Sequence, residues 1–109
     1  MERLRKREEF SALLRRGKAF RHSLLTLKAL PNGLAFSRAG FLTSRKVGKA
    51  VVRNTVRRRL REALRLVPLA EGWDILFIAS PGAGAADFQE LKRAVGEVLS
   101  RAGLLKEKM

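Results

Sequence analysis

The chain contains no cysteine. Disulfide staples and thiolate metal sites are therefore excluded, and a reducing compartment is compatible with the sequence. Histidine occurs once, as His22. It has no second histidine to complete a metal cluster, and no carboxylate placed by sequence to orient it as a general base. Acidic residues are scarce, 10 against 24 Lys plus Arg. Glu62, Glu71, Asp74 and Asp87 form no paired motif, and no serine sits in a nucleophile elbow. Nothing in these absences supports a self-contained active site. No apolar run approaches the ~20 residues of a membrane span. The charged start MERLRKREEF is not followed by a signal-peptide core, so the expectation is a cytoplasmic protein with no membrane partner.

What remains is one domain, residues 1–109, with 46% hydrophobic content and a formal net charge of +14. That is enough apolar material for a modest core. A charge excess of this size repels itself unless a polyanion or counterions neutralise it. Nucleic acid is the first candidate and an anionic membrane the second.

The positive charge is concentrated between Arg53 and Arg61, where five arginines and an asparagine fall within nine positions. At about 100° per residue, Arg53, Asn54, Arg57, Arg58, Arg61 and Arg65 share one helical arc of roughly 140°. Val52, Val56, Leu60, Ala63, Leu64 and Val67 fill the adjoining arc of roughly 120°. One side of such a helix buries while the other presents guanidinium groups, which are planar and shaped to fork onto phosphate oxygens. A solvated face ordinarily mixes both signs, and here only Glu62 interrupts the basic side. Phosphate binding is the better reading. Arg45, Lys46 and Lys49 lie immediately upstream and join the same candidate RNA-binding set.

Elsewhere the pattern predicts a helix over 6–16 with Phe10, Leu13 and Leu14 on one face and Gly17 as its stop. A strand is expected over 24–30, ended by Pro31-Asn32-Gly33, with 34–36 continuing as part of a second strand and another over 39–44. Residues 73–79, led by a structural Trp73, have the unbroken hydrophobicity of a strand buried on both faces. Asp87 reads as the cap of a final helix striped by Phe88, Leu91, Val95, Val98 and Leu99. The order α-β-β-β-α-β-α suggests an α+β fold, an α/β sandwich with a small mixed sheet carrying helices. The loop Gly82-Ala83-Gly84 fails as a dinucleotide motif. Its third glycine is missing, and Asp87 would set a carboxylate where phosphate meets the helix. Phe10 admits two readings, core residue or stacking platform for an unpaired base with Arg15, Arg16 and Arg21 beside it; the residues alone favour core.

The span 44–62, SRKVGKAVVRNTVRRRLRE, resembles the signature of the bacterial ribonuclease P protein subunit. Lys46, Arg53, Asn54, Arg57, Arg58 and Arg61 stand at motif positions, and Glu9-Phe10 with Gly17 looks like the family's first helix. The resemblance implies an α/β sandwich with a left-handed β-α-β crossover around the Arg-Asn helix, a handedness opposite to the general rule. It implies that a partner RNA subunit, using Mg²⁺, removes the 5′ leader of precursor tRNA. The protein itself would bind no cofactor. Its basic helix would hold ribonuclease P RNA, and a cleft between the first helix and the sheet would take the leader of precursor tRNA. On that reading Phe10 becomes a leader contact. Leu14 stands where a second cleft aromatic is common. A small basic ribosomal protein is the alternative that shares the size and charge.

Overall fold

Leu25, Leu27 and Ala29 alternate along one strand with Thr26, Lys28 and Leu30, so the two sets face opposite sides of a sheet. In the computed structural model, which describes residues 1–106, that strand is β3 (Leu25–Pro31). It pairs with β5 (Trp73–Ala79) on one side and β2 (Lys18–Arg21) on the other, both antiparallel. β4 (Arg38–Leu42) runs parallel to β5, and β1 (Glu2–Arg3) runs parallel to β4. The sheet order is β1-β4-β5-β3-β2.

Three helices cover this mixed sheet: α1 (Arg7–Arg16), α2 (Ala50–Arg65) and α3 (Phe88–Ala102). Leu25, Leu27 and Ala29 join Ile75, Phe77 and Ala79 in a core with Val56, Leu60 and Leu64 of α2 and Leu91, Val95 and Leu99 of α3. Leu76, on the opposite face of β5, packs with Leu4 and with Leu13 of α1, and Phe10, Leu30 and Ile78 close around them. The sheet is thus sandwiched, which explains why β5 carries apolar residues at consecutive positions. Each fully buried Leu, Ile or Phe contributes roughly 1.5–3 kcal/mol relative to an exposed side chain.

The expected α+β order holds, with two differences in the strands. β1 was not expected. The strand expected at 34–36 is instead an exposed bend, and β2 supplies the third strand between the first two long helices. The bend follows from Asn32 and Gly33. Gly33 has φ +71°, and the Asn32 side-chain oxygen accepts the N–H of Leu34 at 2.7 Å, turning the chain out of the sheet.

Two glycines serve close approach. Gly17 ends α1 in an extended conformation, not the left-handed one of many helix stops. A Cβ there would lie 2.5 Å from the Leu13 carbonyl oxygen as the chain turns into β2. Gly84, in the short turn Pro81–Gly84, would set its Cβ 2.3 Å from the Val47 carbonyl oxygen. The loop after β5 is therefore pinned against the turn that launches α2. Asp87 caps α3 as expected. Its carboxylate accepts the Glu90 N–H at 2.8 Å, and Glu90 returns the contact to the Asp87 N–H at 3.1 Å.

Candidate nucleic-acid interface

α2 buries Val56, Leu60, Ala63 and Leu64, as their spacing requires. Its cationic arc is graded. Arg53, Arg57 and Arg61 are half-buried because they share the stripe that ends in Leu60 and Leu64; Asn54, Arg58 and Arg65 are exposed. Arg57 donates from Nη1 to Thr43 Oγ1 at 2.6 Å and from Nη2 to Asn54 Oδ1. Arg61 lies over the Phe41 ring, 5.8 Å from its centroid, and Phe41 in turn stacks on Phe77 at 5.7 Å. These contacts orient two guanidinium groups and leave donors to spare. Arg53 Nε is buried without a hydrogen-bond partner among the described residues. Arg59 points the other way and donates to the Ala86 carbonyl at 3.0 Å, tying α2 to the loop before α3.

Asn54 does not cap the helix, since Lys49 occupies the N-cap position. Its amide oxygen orients Arg57 instead. Upstream, Ser44 Oγ accepts the Lys46 N–H at 3.3 Å and opens a single tight turn, Arg45–Val47. Gly48 then takes φ +150° and aims the chain into α2. Arg45, Lys46 and Lys49 are all exposed beside the first turn of α2. That turn has no acidic residue, so the positive end of the helix dipole adds to the same field.

β1 pairs only with Arg38 and Ala39, so the later residues of β4 form an open sheet edge. There a groove of about 190 Å³ is lined by Phe10 on one wall and by Arg57 and Arg61 on the other, with Gly40 and Phe41 between them and Arg3 at one end. It adjoins a second hollow of about 240 Å³ that continues past Arg3 and Arg61 to Arg65. Phe10 reaches the groove because β4 has glycine beneath it. A Cβ at Gly40 would meet Phe10 Cε1 at 2.8 Å. The ring is half-buried, with one side on Leu4, Leu13 and Leu76 and the other on the groove.

The remaining residues expected in the cleft do not line this groove. Leu14 and Arg15 border a different, shallow depression with Arg7, Glu8 and Ser11. Arg16 is exposed in the last turn of α1. Arg21 is exposed at the end of β2, and its carbonyl accepts from Arg101 Nη1 at 2.6 Å. Arg3 was missed by the sequence reading, because a two-residue strand carries no periodicity. His22 does have a carboxylate: Glu97 lies 3.2 Å from Nε2, while Nδ1 accepts the Leu24 N–H at 3.0 Å. The imidazole thus ties the end of β2 to α3.

With this geometry in hand, the ribonuclease P family model matches residues 1–103. The chain belongs to the ribonuclease P protein family. It is 48% identical over 103 residues to the ribonuclease P protein component of Dehalococcoides mccartyi strain CBDB1, covering 94% of this chain and 86% of the relative. The counterpart from Caldanaerobacter subterraneus is 37% identical over 110 residues, 99% of this chain and 95% of the other. Among solved structures, the RNase P protein of Thermotoga maritima superposes with a TM-score of 0.80 at 30% identity, covering 93% of this chain and 97% of that one. The Staphylococcus aureus RNase P protein superposes at 0.87, covering 97% and 99%, and at 22% identity it bears on the fold alone. Membership places the chain in an RNA-binding ribonucleoprotein of tRNA processing, an endoribonuclease, and implies a ribonuclease P RNA as partner.

Proposed function

We propose that this ribonuclease P protein holds the catalytic RNA through the exposed face of α2 and receives the 5′ leader of precursor tRNA in the groove between Phe10 and Arg61. Arg45, Lys46, Lys49, Arg58 and Arg65 neutralise phosphates of the ribozyme and lower the repulsion between two RNAs that must approach closely. Phe10 offers a flat apolar surface to an unpaired base, while Arg57 and Arg61 take the flanking phosphates. Such contacts exist for precursor and vanish for mature tRNA, so they favour substrate capture and product release without a protein group entering the chemical step.

The hydrolysis belongs to the RNA and its Mg²⁺. Among the described residues no cluster of carboxylates and histidine could hold a metal: Glu9 and Asp74 are held by Arg38, Glu97 faces His22, and Glu71 meets Lys106 at 3.1 Å. The work belongs in the cytoplasm, where precursor tRNA is made.

The observation that carries this reading is an aromatic ring facing two guanidinium groups across an open sheet edge, a pairing that a merely solvated basic helix does not need. Its test is the Phe10→Ala variant assembled with ribonuclease P RNA. Precursor binding is expected to weaken by about 1–3 kcal/mol while mature tRNA binding hardly changes. Equal losses for both RNAs, with folding stability lowered by roughly 3–5 kcal/mol, would return Phe10 to the core.

A further inference from the structure

The groove's aromatic wall is held by an ion network that the RNA-binding reading leaves unused. Glu9 directly precedes Phe10. One of its carboxylate oxygens accepts the N–H groups of Arg5 and Lys6 at 2.9 and 2.8 Å, closing the start of α1. The other accepts from Arg38 Nη1. Arg38 in turn forks onto Asp74, with Nε on Oδ1 at 2.8 Å and Nη2 on Oδ2 at 2.7 Å. Asn32 completes the set by donating to Asp74 Oδ1 at 3.0 Å. The side chains of Glu9 and Asp74 are only 15% and 9% exposed, so solvent screens this chain of charges weakly.

The network joins the first turn of α1 to the beginnings of β4 and β5. Two residues after Arg38 comes Gly40, the floor on which the Phe10 ring rests. The opposite wall, Arg57 and Arg61, is carried by α2 on the other face of the sheet. Among the described residues, nothing else charged bridges α1 to the sheet near the groove except the Lys28 ammonium on the Leu14 carbonyl, one turn further along. An apolar contact alone lets a helix slide; a guanidinium fixed by a fork does not.

We infer that the Glu9–Arg38–Asp74 network is the positioning device of the leader groove: it holds Phe10 at the spacing from Arg57 and Arg61 that lets one nucleotide stack and pair its phosphate at once. Glu9, Arg38 and Asp74 are thus positioning residues for discrimination of precursor from mature tRNA. This rests on the leader-binding reading above.

The experiment reconstitutes holoenzyme with wild-type protein, Glu9→Ala, Arg38→Lys, Phe10→Ala and the Glu9→Ala/Phe10→Ala double variant. It measures affinity for precursor and mature tRNA, affinity for ribonuclease P RNA and the thermal midpoint of each protein. Arg38→Lys keeps the charge but cannot fork onto Asp74 and reach Glu9 together. Both network variants are expected to lower the precursor-over-mature ratio by about tenfold, the scale on which misplacement by a fraction of an ångström acts. Ribonuclease P RNA affinity should stay within about twofold, because α2 is untouched. In the double variant, Glu9→Ala should add no further loss to that of Phe10→Ala. A purely structural role would lower the thermal midpoint and leave the ratio alone, and that outcome in folded protein overturns the inference. So would full additivity in the double variant. If wild-type protein shows no preference for precursor, the leader-binding reading has failed; if Phe10→Ala abolishes the preference and Glu9→Ala does not, only the positioning role has failed.

Discussion

Arg57, Arg58 and Arg59 are consecutive and are used in three different ways. Arg57 is held half-buried by Thr43 and Asn54, Arg58 is free in solvent, and Arg59 is spent on the Ala86 carbonyl. Helical period alone separates Arg59 from the other two, since it falls outside the arc they share. It does not show that Arg57 is engaged, because Thr43 lies fourteen residues earlier, just past β4. Arg58→Ala and Arg65→Ala should each lower the salt slope of ribonuclease P RNA binding by about one unit per lost phosphate contact and leave the fold intact. Arg59→Ala should leave the slope unchanged and cost about 1 kcal/mol of stability. Binding titrations over a range of salt, with circular dichroism on each variant, separate the two behaviours. An unchanged affinity and slope in folded Arg58→Ala and Arg65→Ala would mark the face as merely solvated.

At the scale of elements, legibility tracked burial. β5 and the three helices stand out because each buries a face or a whole segment, and burial imposes a pattern on the residues. β2 is an edge strand whose Lys18, Ala19 and Arg21 are exposed, so no alternation marks it. β1 is shorter than any period, yet the Ser37 and Ala39 carbonyls hold it in place. Residues 34–36 mislead in the opposite sense: they are apolar, but Asn32 and Gly33 turn them into solvent. The first helix carries a pH dependence. The backbone N–H groups of Lys6 and Arg5, aided by Arg38, hold the Glu9 carboxyl below its ordinary 4.5 against the opposing effect of burial. A carboxyl lowered in the folded state stabilises it above the unfolded-state value, and that stability is lost as pH falls through the folded value. Glu9→Gln should therefore be less stable than wild type at neutral pH, with the difference shrinking as pH falls below 4.5. Urea unfolding of both proteins across that range checks it; a constant difference would show that the Glu9 charge is uncoupled from folding.

At the scale of the molecule, the candidate site is a product of topology. Phe10 and Arg61 are remote in sequence and sit on helices covering opposite faces of one sheet, and they meet only because β1 leaves part of β4 uncovered. The basic half of the site was readable from a single helix. The aromatic half was readable only as an ambiguity between core and stacking, and in the structure one side of Phe10 faces the core and the other the groove. Leu14, grouped with Phe10 by the family resemblance, and Arg15, Arg16 and Arg21, offered beside it as backbone contacts, do not line this groove. The proposed function unites these features: the protein would bind and position RNA while the partner RNA performs the hydrolysis. The most direct test incubates precursor tRNA with rigorously RNA-free protein, with ribonuclease P RNA alone, and with both, at low Mg²⁺. The expected result is no leader removal by protein alone, little by the RNA alone, and cleavage restored when the two are combined. Leader removal by the RNA-free protein would contradict it.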